Sequence, residues 1–454
     1  MTGTEIAVSI WDRERIWVTL GAAALIFFAA IEALAVTTVM PVVSDALDGD
    51  ALYAVAFAGT LATSVIGMVA AGAWSDARGP RVALYVAVSL FITGLLISGL
   101  ATTMHQFLIG RLVQGLGTGG QTVALYVVVA RLYPPQLHGR VFAAFAAAWV
   151  VPSMIGPFLA GAVAEYLDWR WAFLGVAVLT ALAFLTIVVR LRRVDLGHGE
   201  PQDRRALRRR LLLAVVVAVL AVLVGFSADM RPQIGWPVAL GAAALIGFAV
   251  LPLLPRRTLR AAPGLPSVVL MRGVAAGSFF AAEAYVPYLL MARFDFTPTW
   301  AGVALMLAAF AWAGASDLQG RFGDRLGNRR IALIGLGLIL LALVCVLIAA
   351  LLGISPVLVI VGWGFAGGGM GLLYPRLTVL TLAYSDEANQ GFNSSALSIA
   401  ENTGSAVAIA IAGLAVASLG GSAFGAVYAF CIVLVLAAAI PGLRLGHAAE
   451  SPAR

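Results

Sequence analysis

The sequence has few charged residues and no lysine. Only 11% of its 454 residues are charged, whereas 61% are hydrophobic. A soluble domain is about one quarter charged and about half apolar, so no soluble fold could bury this much apolar surface. The scarcity of charge excludes a water-soluble enzyme or binding module and indicates a protein that is solvated by lipid.

Cysteine and histidine are also scarce. Cys345 and Cys431 lie within apolar runs, which excludes a disulfide framework, and the four scattered histidines support no metal site. The chain also lacks a Gly-rich nucleotide loop of the Walker type, so we expect neither a metal nor a cofactor. The formal net charge of +7 fits the cytoplasmic loops of a membrane protein better than a nucleic-acid partner.

Apolar runs follow one another almost from end to end of the chain. A helix needs about 20 apolar residues to cross the hydrocarbon of a bilayer. Asp229, Arg231 and Pro232 interrupt one very long run, which predicts two helices there rather than one. The sequence then predicts fourteen spans, at about 17–43, 52–74, 82–104, 106–130, 141–164, 171–189, 211–227, 236–254, 266–292, 298–319, 331–352, 356–382, 394–418 and 422–442.

Arginine is distributed unevenly between the two sides of these spans. With the amino terminus inside, only Arg170, Arg231 and Arg293 fall on outer loops, so we expect a plasma-membrane protein with both termini in the cytoplasm. The Arg-rich connection at 191–210 is predicted to be a cytoplasmic linker. It resembles a plain positive-inside anchor more than a lipid-specific or regulatory site. The other connections are too short for a catalytic domain, which leaves a polytopic membrane enzyme as a remote alternative.

A ten-residue pattern occurs twice, as GAWSDARGPR and GRFGDRLGNR, at two loops that are predicted to be cytoplasmic. Glycine lets helix ends turn tightly and approach closely, while the acid can cap a helix or engage a cation. We interpret the pattern as a latch that must break when the cytoplasmic side opens; the alternative is a tight solvated turn. The shared residues are Gly72, Asp76, Gly79 and Arg81 in the first copy and Gly320, Asp324, Gly327 and Arg329 in the second.

The repeated pattern resembles the signature between the second and third helices of each half in the major facilitator superfamily. The resemblance implies an all-α membrane fold of two pseudo-symmetric six-helix bundles, 1–190 and 261–454. A linker and two extra helices would occupy 191–260, as in the fourteen-helix branch of drug/proton antiporters. It also implies transport by alternating access.

Three further segments resemble motifs of drug/proton antiporters. EALAVTTVMP, which contains Glu32, is similar to the first-helix motif, although that motif usually carries Asp at the acidic position. RLVQGLGTGG, which contains Arg111, is similar to the fourth-helix motif that is associated with proton coupling. GPFLAG, with Gly156 and Pro157, is similar to the fifth-helix antiporter motif, although Ala160 replaces the first glycine of its closing pair.

Two acids are predicted to lie deep in the membrane. Glu32 lies about 16 residues into the first helix, and Glu283 about 17 into the first helix of the second half. A charge in hydrocarbon costs about 3 kcal/mol or more on insertion scales, and desolvation favours a protonated carboxyl group. We therefore expect both acids to bind protons in competition with a cationic substrate, unless each forms only a structural ion pair. Arg111 is within reach of Glu32 and either tunes its proton affinity or ties two helices together.

Other polar and aromatic residues are candidates for a gate or a cavity. Arg376 and Glu401 each lie about 9 to 10 Å from the cytoplasmic face, at ~1.5 Å per residue, which predicts an ion pair that acts as an inner gate or as a permanent staple. Arg272, nearer a helix end, is predicted to be interfacial. Aromatic side chains could form an apolar, cation-tolerant surface, although packing or lipid contact is their more frequent role. The candidates are Trp149, Phe279, Phe280, Tyr285 and Tyr288.

Together, the residues and the resemblance predict a secondary active transporter. The resemblance implies proton-coupled export of amphiphilic or cationic small molecules, as in multidrug efflux; the alternative substrates are an endogenous lipid, siderophore or metabolite. We expect the partners to be this substrate, protons and membrane lipids, with no nucleic acid, and we expect a monomer.

Overall fold

The computed structural model describes residues 12, 15–192, 196, 204–385, 390–419 and 423–445. These residues form fourteen helices that are long and apolar enough to cross a membrane, which confirms the predicted number. The helices are α1 Ile16–Ala46, α2 Tyr53–Arg78, α3 Pro80–Gly99, α4 Met104–Leu132, α5 Pro135–Tyr166, α6 Trp171–Leu191, α7 Arg204–Phe226, α8 Pro232–Val250, α9 Leu265–Phe294, α10 Pro298–Leu326, α11 Asn328–Leu352, α12 Pro356–Ala383, α13 Gln390–Leu419 and α14 Ala423–Leu443.

The chain is therefore an all-α polytopic membrane protein. Short connections make successive helices run in opposite directions. We call the side of the membrane on which α1 begins the proximal face, and the side on which α1 ends the distal face.

Two helices extend furthest beyond their predicted boundaries: α10 ends at Leu326 instead of residue 319, and α7 begins at Arg204 instead of residue 211. Part of the predicted linker is thus helical, because arginine is a good helix former and its long side chain can carry the charge to the membrane surface. The remainder of that linker, 193–195 and 197–203, lies outside the described residues. The predicted break between α7 and α8 is present: a short 3-10 helix ends at Asp229, and Pro232 is the first residue of α8, a position where proline is well tolerated.

The helices form two bundles, α1–α6 and α9–α14, which meet along two seams. At one seam α2 packs on α13, and at the other α5 packs on α10. Helix α7 packs on both α2 and α13, and α8 packs on α7. The two extra helices are thus central in the sequence but lie beside the first seam in space.

Glycines of α4 allow the first bundle to pack closely. A Cβ atom at Gly119 would overlap the backbone of Ser64 on α2, and one at Gly117 would overlap the backbone of Phe91 on α3. Only a residue without a side chain lets α4 approach both helices at this distance. The fourth-helix motif is therefore also a packing motif, and it fixes the position of Arg111 near the distal part of the bundle.

Candidate functional site

The two signature loops have the same backbone conformation. Gly79 ends α2 with φ of 85° and ψ of 157°, and Gly327 ends α10 with φ of 79° and ψ of 153°. Residues with a Cβ atom rarely adopt this conformation, which explains both glycines. Gly72 and Gly320 do not make the close approach that we expected: a Cβ atom at Gly72 would lie 3.5 Å from Val123, and one at Gly320 would meet no atom within 4 Å.

Each signature loop is held by an arginine from the fourth helix of its own bundle. Arg131 of α4 donates from Nη2 to the carbonyl oxygen of Ser75, at 3.2 Å. Arg376 of α12 donates from Nε to Oδ1 of Asn328, at 2.6 Å. The predictions from sequence did not include this role for Arg131, although an arginine near the same end of two equivalent helices is a detectable signal.

The remaining charged residues of the two signatures differ in exposure. Asp76 and Arg81 are half-buried, and both take part in polar interactions. Arg329 is exposed. The side chain of Asp324 lies outside the described residues. How the acids act in a latch stays a prediction.

Glu32 and Arg111 form an ion pair inside the first bundle. Their side chains are each 4% exposed, and Nη1 of Arg111 donates to Oε1 of Glu32. Arg111 also donates from Nη1 to Oε1 of Gln114, at 2.7 Å, and from Nε to the carbonyl oxygen of Ala56, at 3.3 Å. The guanidinium group therefore connects α1, α2 and α4 at one point.

Glu283 lies on α9, the equivalent of α1 in the second bundle, but its surroundings differ. Its side chain is half-buried, and within the described part of the chain its carboxyl group has no hydrogen-bond or ion-pair partner. The two membrane acids are thus a paired carboxyl group in one bundle and an unpaired one in the other. An unpaired carboxyl group within the membrane can take up a proton or meet a cation.

Glu401 pairs with Arg272, which corrects the predicted pair with Arg376. Nε of Arg272 lies 2.9 Å from Oε2 of Glu401, and its guanidinium carbon lies 3.0 Å from the ring centroid of Tyr374. The Tyr374 hydroxyl donates to the other oxygen of Glu401. Arg272 is 6% exposed, so the prediction of an interfacial arginine is also wrong. Sequence spacing predicted how deep these groups lie in the membrane. The direction in which each side chain points around its helix axis decided its partner.

The two bundles make close contacts near the distal face. Tyr53 of α2 donates to the carbonyl oxygen of Ala284 on α9, at 2.6 Å. At the other seam, Oε2 of Glu165 accepts the backbone N–H of Thr299 in the first turn of α10, at 3.2 Å. A Cβ atom at Gly302 of α10 would overlap the backbone of Pro157 on α5. The space between the bundles is therefore closed at this face.

The hydrogen bonds that Tyr53 and Glu165 make between the bundles both lie near the distal face. Nearer the proximal face, Tyr126 of α4 is 48% exposed. We call this conformation, with the bundles in contact at the distal face, distal-closed.

The candidate aromatic residues have different environments. Phe279 is 2% exposed and stacks on Trp363 with ring centroids 5.2 Å apart, and Tyr285 is 1% exposed. These two side chains are packed in the core and do not form a cavity surface in this conformation. Phe280 and Tyr288 are half-buried, and Trp149 is 47% exposed. In the fifth helix, a Cβ atom at Gly156 would lie 3.7 Å from Leu34, an ordinary contact.

Comparison with known proteins identifies related sequences over most of the chain. Multidrug resistance protein Stp of Mycobacterium tuberculosis is 28% identical over 410 residues, which are 87% of this chain and 74% of that protein. The Acurin A biosynthesis cluster MFS-type transporter of Aspergillus aculeatus is 27% identical over 324 residues, 67% of this chain. The match spans 57% of the length of that fungal protein.

Solved structures share the fold. A crystal structure of peptide transporter POT in complex with sulfate is similar with a TM-score of 0.67 and 17% identity, covering 92% of this chain and 93% of the other. The family model described as Major Facilitator Superfamily matches residues 20–360 and 268–453. The fourteen membrane helices, the two bundles with their repeated signature and this match together show that the chain belongs to the major facilitator superfamily.

Proposed function

We propose that this protein exports amphiphilic or cationic small molecules from the cytoplasm in exchange for protons, by alternating access. The observation that carries the proposal is the placement of one acid in the membrane part of each bundle, Glu32 paired with Arg111 and Glu283 unpaired. A carboxyl group in the membrane part of a bundle is neutral or charged depending on its partner. Exchange of a proton for a cationic substrate on such a group links the two flows.

The proposed direction of transport depends on the orientation in the membrane. In our proposal the proximal face is cytoplasmic, because the arginine-rich connections lie on it. The conformation with contact at the distal face is then the one that accepts substrate from the cytoplasm. A relative that is named a multidrug resistance protein supports export of foreign compounds.

A second candidate is export of a compound that the cell itself makes. The relative from Aspergillus aculeatus is named a biosynthesis cluster transporter, which favours an endogenous metabolite as substrate. The same two acids would serve this function, so the candidates differ in substrate and not in mechanism.

The proposal is tested by measuring transport in proteoliposomes with an imposed pH gradient, using ethidium as an amphiphilic cation. A glutamine has nearly the size of glutamate but cannot bind and release a proton. We expect Glu32→Gln to reduce gradient-driven accumulation at least tenfold while energy-independent exchange continues. Glu283→Gln should cause a similar loss, or a loss that is selective for cationic substrates over neutral ones.

Asp168→Asn is the matched control, because this acid lies in a distal loop beside Arg170 and outside the membrane. It should transport like the unmodified protein. If both Glu32→Gln and Glu283→Gln still release protons on addition of ethidium and still concentrate it, neither acid couples the flows, and Glu401 becomes the candidate.

A further inference from the structure

Tyr53, the first residue of α2, occupies the point where the bundles close at the distal face. Its side chain is 3% exposed, and its ring stacks on Tyr288 of α9, with centroids 5.4 Å apart. Its hydroxyl donates to the carbonyl oxygen of Ala284 at 2.6 Å. This single side chain therefore supplies both a ring contact and a buried hydrogen bond between the bundles. Both must break before the distal face opens.

The bond from Tyr53 ends beside one of the two membrane acids. Ala284 directly follows Glu283 on α9, so the position of Tyr53 is tied to the backbone at that carboxyl group. A Cβ atom at Gly413 of α13 would overlap Ala54. The first turn of α2 is thus fixed closely to two helices of the second bundle.

The same turn of α2 also contacts the partner of the other acid. The carbonyl oxygen of Ala56 accepts a hydrogen bond from Nε of Arg111, which holds Glu32 through Nη1. Ala56 lies three residues after Tyr53 in one helical turn, so the two cannot move independently. One rigid turn therefore contacts the Glu32–Arg111 pair on one side and the closed distal interface on the other.

We propose that Tyr53 is the positioning residue that couples the charge state of Glu32 to opening of the distal face. When Glu32 is neutralised, Arg111 loses its anionic partner and the anchor of the first turn of α2 loosens. Movement of this turn then breaks the hydrogen bond from Tyr53 to Ala284. The inference rests on the proposed proton exchange for its role in transport. The coupling itself is a property of the protein without substrate.

The first test measures the ratio of distal-open to distal-closed molecules in lipid nanodiscs. Spin labels on Leu167→Cys and Leu352→Cys report it by electron–electron distances, since these residues are 72% and 66% exposed at distal helix ends of opposite bundles. Cys345→Ala removes the more accessible native thiol, and Cys431 is buried. Tyr53→Phe keeps the ring and removes one buried hydrogen bond, so we expect the ratio to rise roughly two- to tenfold.

Tyr428→Phe is the matched control. Tyr428 belongs to the same buried core and is 0% exposed, but among the residues that the structure describes its hydroxyl has no hydrogen-bond partner. Removing that hydroxyl should leave the ratio unchanged. An equal ratio in Tyr53→Phe and Tyr428→Phe would show that the bond to Ala284 does not hold the distal face, and the proposal would be overturned.

The second test is a double-mutant cycle with Glu32→Gln. We expect Glu32→Gln to raise the open-to-closed ratio in the otherwise unmodified protein. In the Tyr53→Phe background, the same substitution should change the logarithm of the ratio by less than half as much. Additive effects would overturn the coupling. Because the ratio is measured without substrate or pH gradient, this result is independent of the transport assay, which alone decides whether the protein is a proton-driven exporter.

Discussion

The Arg272–Glu401 pair shows how one charged residue depends on its partner. Both groups lie within the membrane, at 7% and 18% side-chain exposure. Removing one partner of a buried pair leaves a desolvated charge and costs about 3 to 5 kcal/mol. We therefore predict that Arg272→Gln lowers the free energy of unfolding by about 3 kcal/mol. Arg272→Gln combined with Glu401→Gln should recover part of this loss in thermal unfolding measurements.

Arg376→Gln provides a comparison. Nε of Arg376 donates to Asn328, and Arg376 and Glu401 do not pair with each other in this conformation. The effects of Arg376→Gln and Glu401→Gln on the free energy of unfolding should therefore add. Strong non-additivity between Arg376→Gln and Glu401→Gln would instead support the ion pair that the sequence predicted, formed in another conformation.

At the scale of the helices, two glycines of the second signature should respond in opposite ways to substitution by alanine. Gly327 has φ of 79°, and a side chain there costs about 1 to 3 kcal/mol of backbone strain. Gly320 lies within α10, where an added Cβ atom meets nothing within 4 Å, and alanine is favoured over glycine in a helix by about 1 kcal/mol. Gly327→Ala should lower the melting temperature in detergent, whereas Gly320→Ala should leave it equal or raise it.

Gly79→Ala should repeat the effect of Gly327→Ala, since the two loops have the same backbone conformation. If Gly320→Ala were destabilised as much as Gly327→Ala, a close approach at Gly320 that is absent from this conformation would have to be important for stability.

At the scale of the whole molecule, the orientation of the chain is open to direct measurement. Arg231 lies between α7 and α8, and Arg256 lies between α8 and α9, both exposed. We predict that a membrane-impermeant thiol reagent added to intact cells modifies Arg231→Cys but not Arg256→Cys. Modification of both from outside would contradict the helix count, and the reverse pattern would contradict the cytoplasmic assignment of the proximal face.

The amino-acid sequence by itself determined the number of helices and the repeated loop conformation. Hydropathy is a sum over one continuous segment, and positive φ at Gly79 and Gly327 is a property of a single residue, so neither depends on distant parts of the chain. The break before Pro232 could be predicted for the same reason. Likewise, the resemblance of the two signatures to those of a known family was sufficient to predict the two-bundle fold.

The tertiary structure decided which residues meet. Sequence spacing gave the depth of Glu401, but its pairing with Arg272 depends on how α9 and α13 are rotated about their axes. The same holds for Tyr53, which looks like an ordinary helix-start residue until α2 is packed against α9. In a helix that is apolar on all sides, no periodicity marks the buried face. Packing between helices therefore determines the rotation, and with it the ion pairs and the distal contacts.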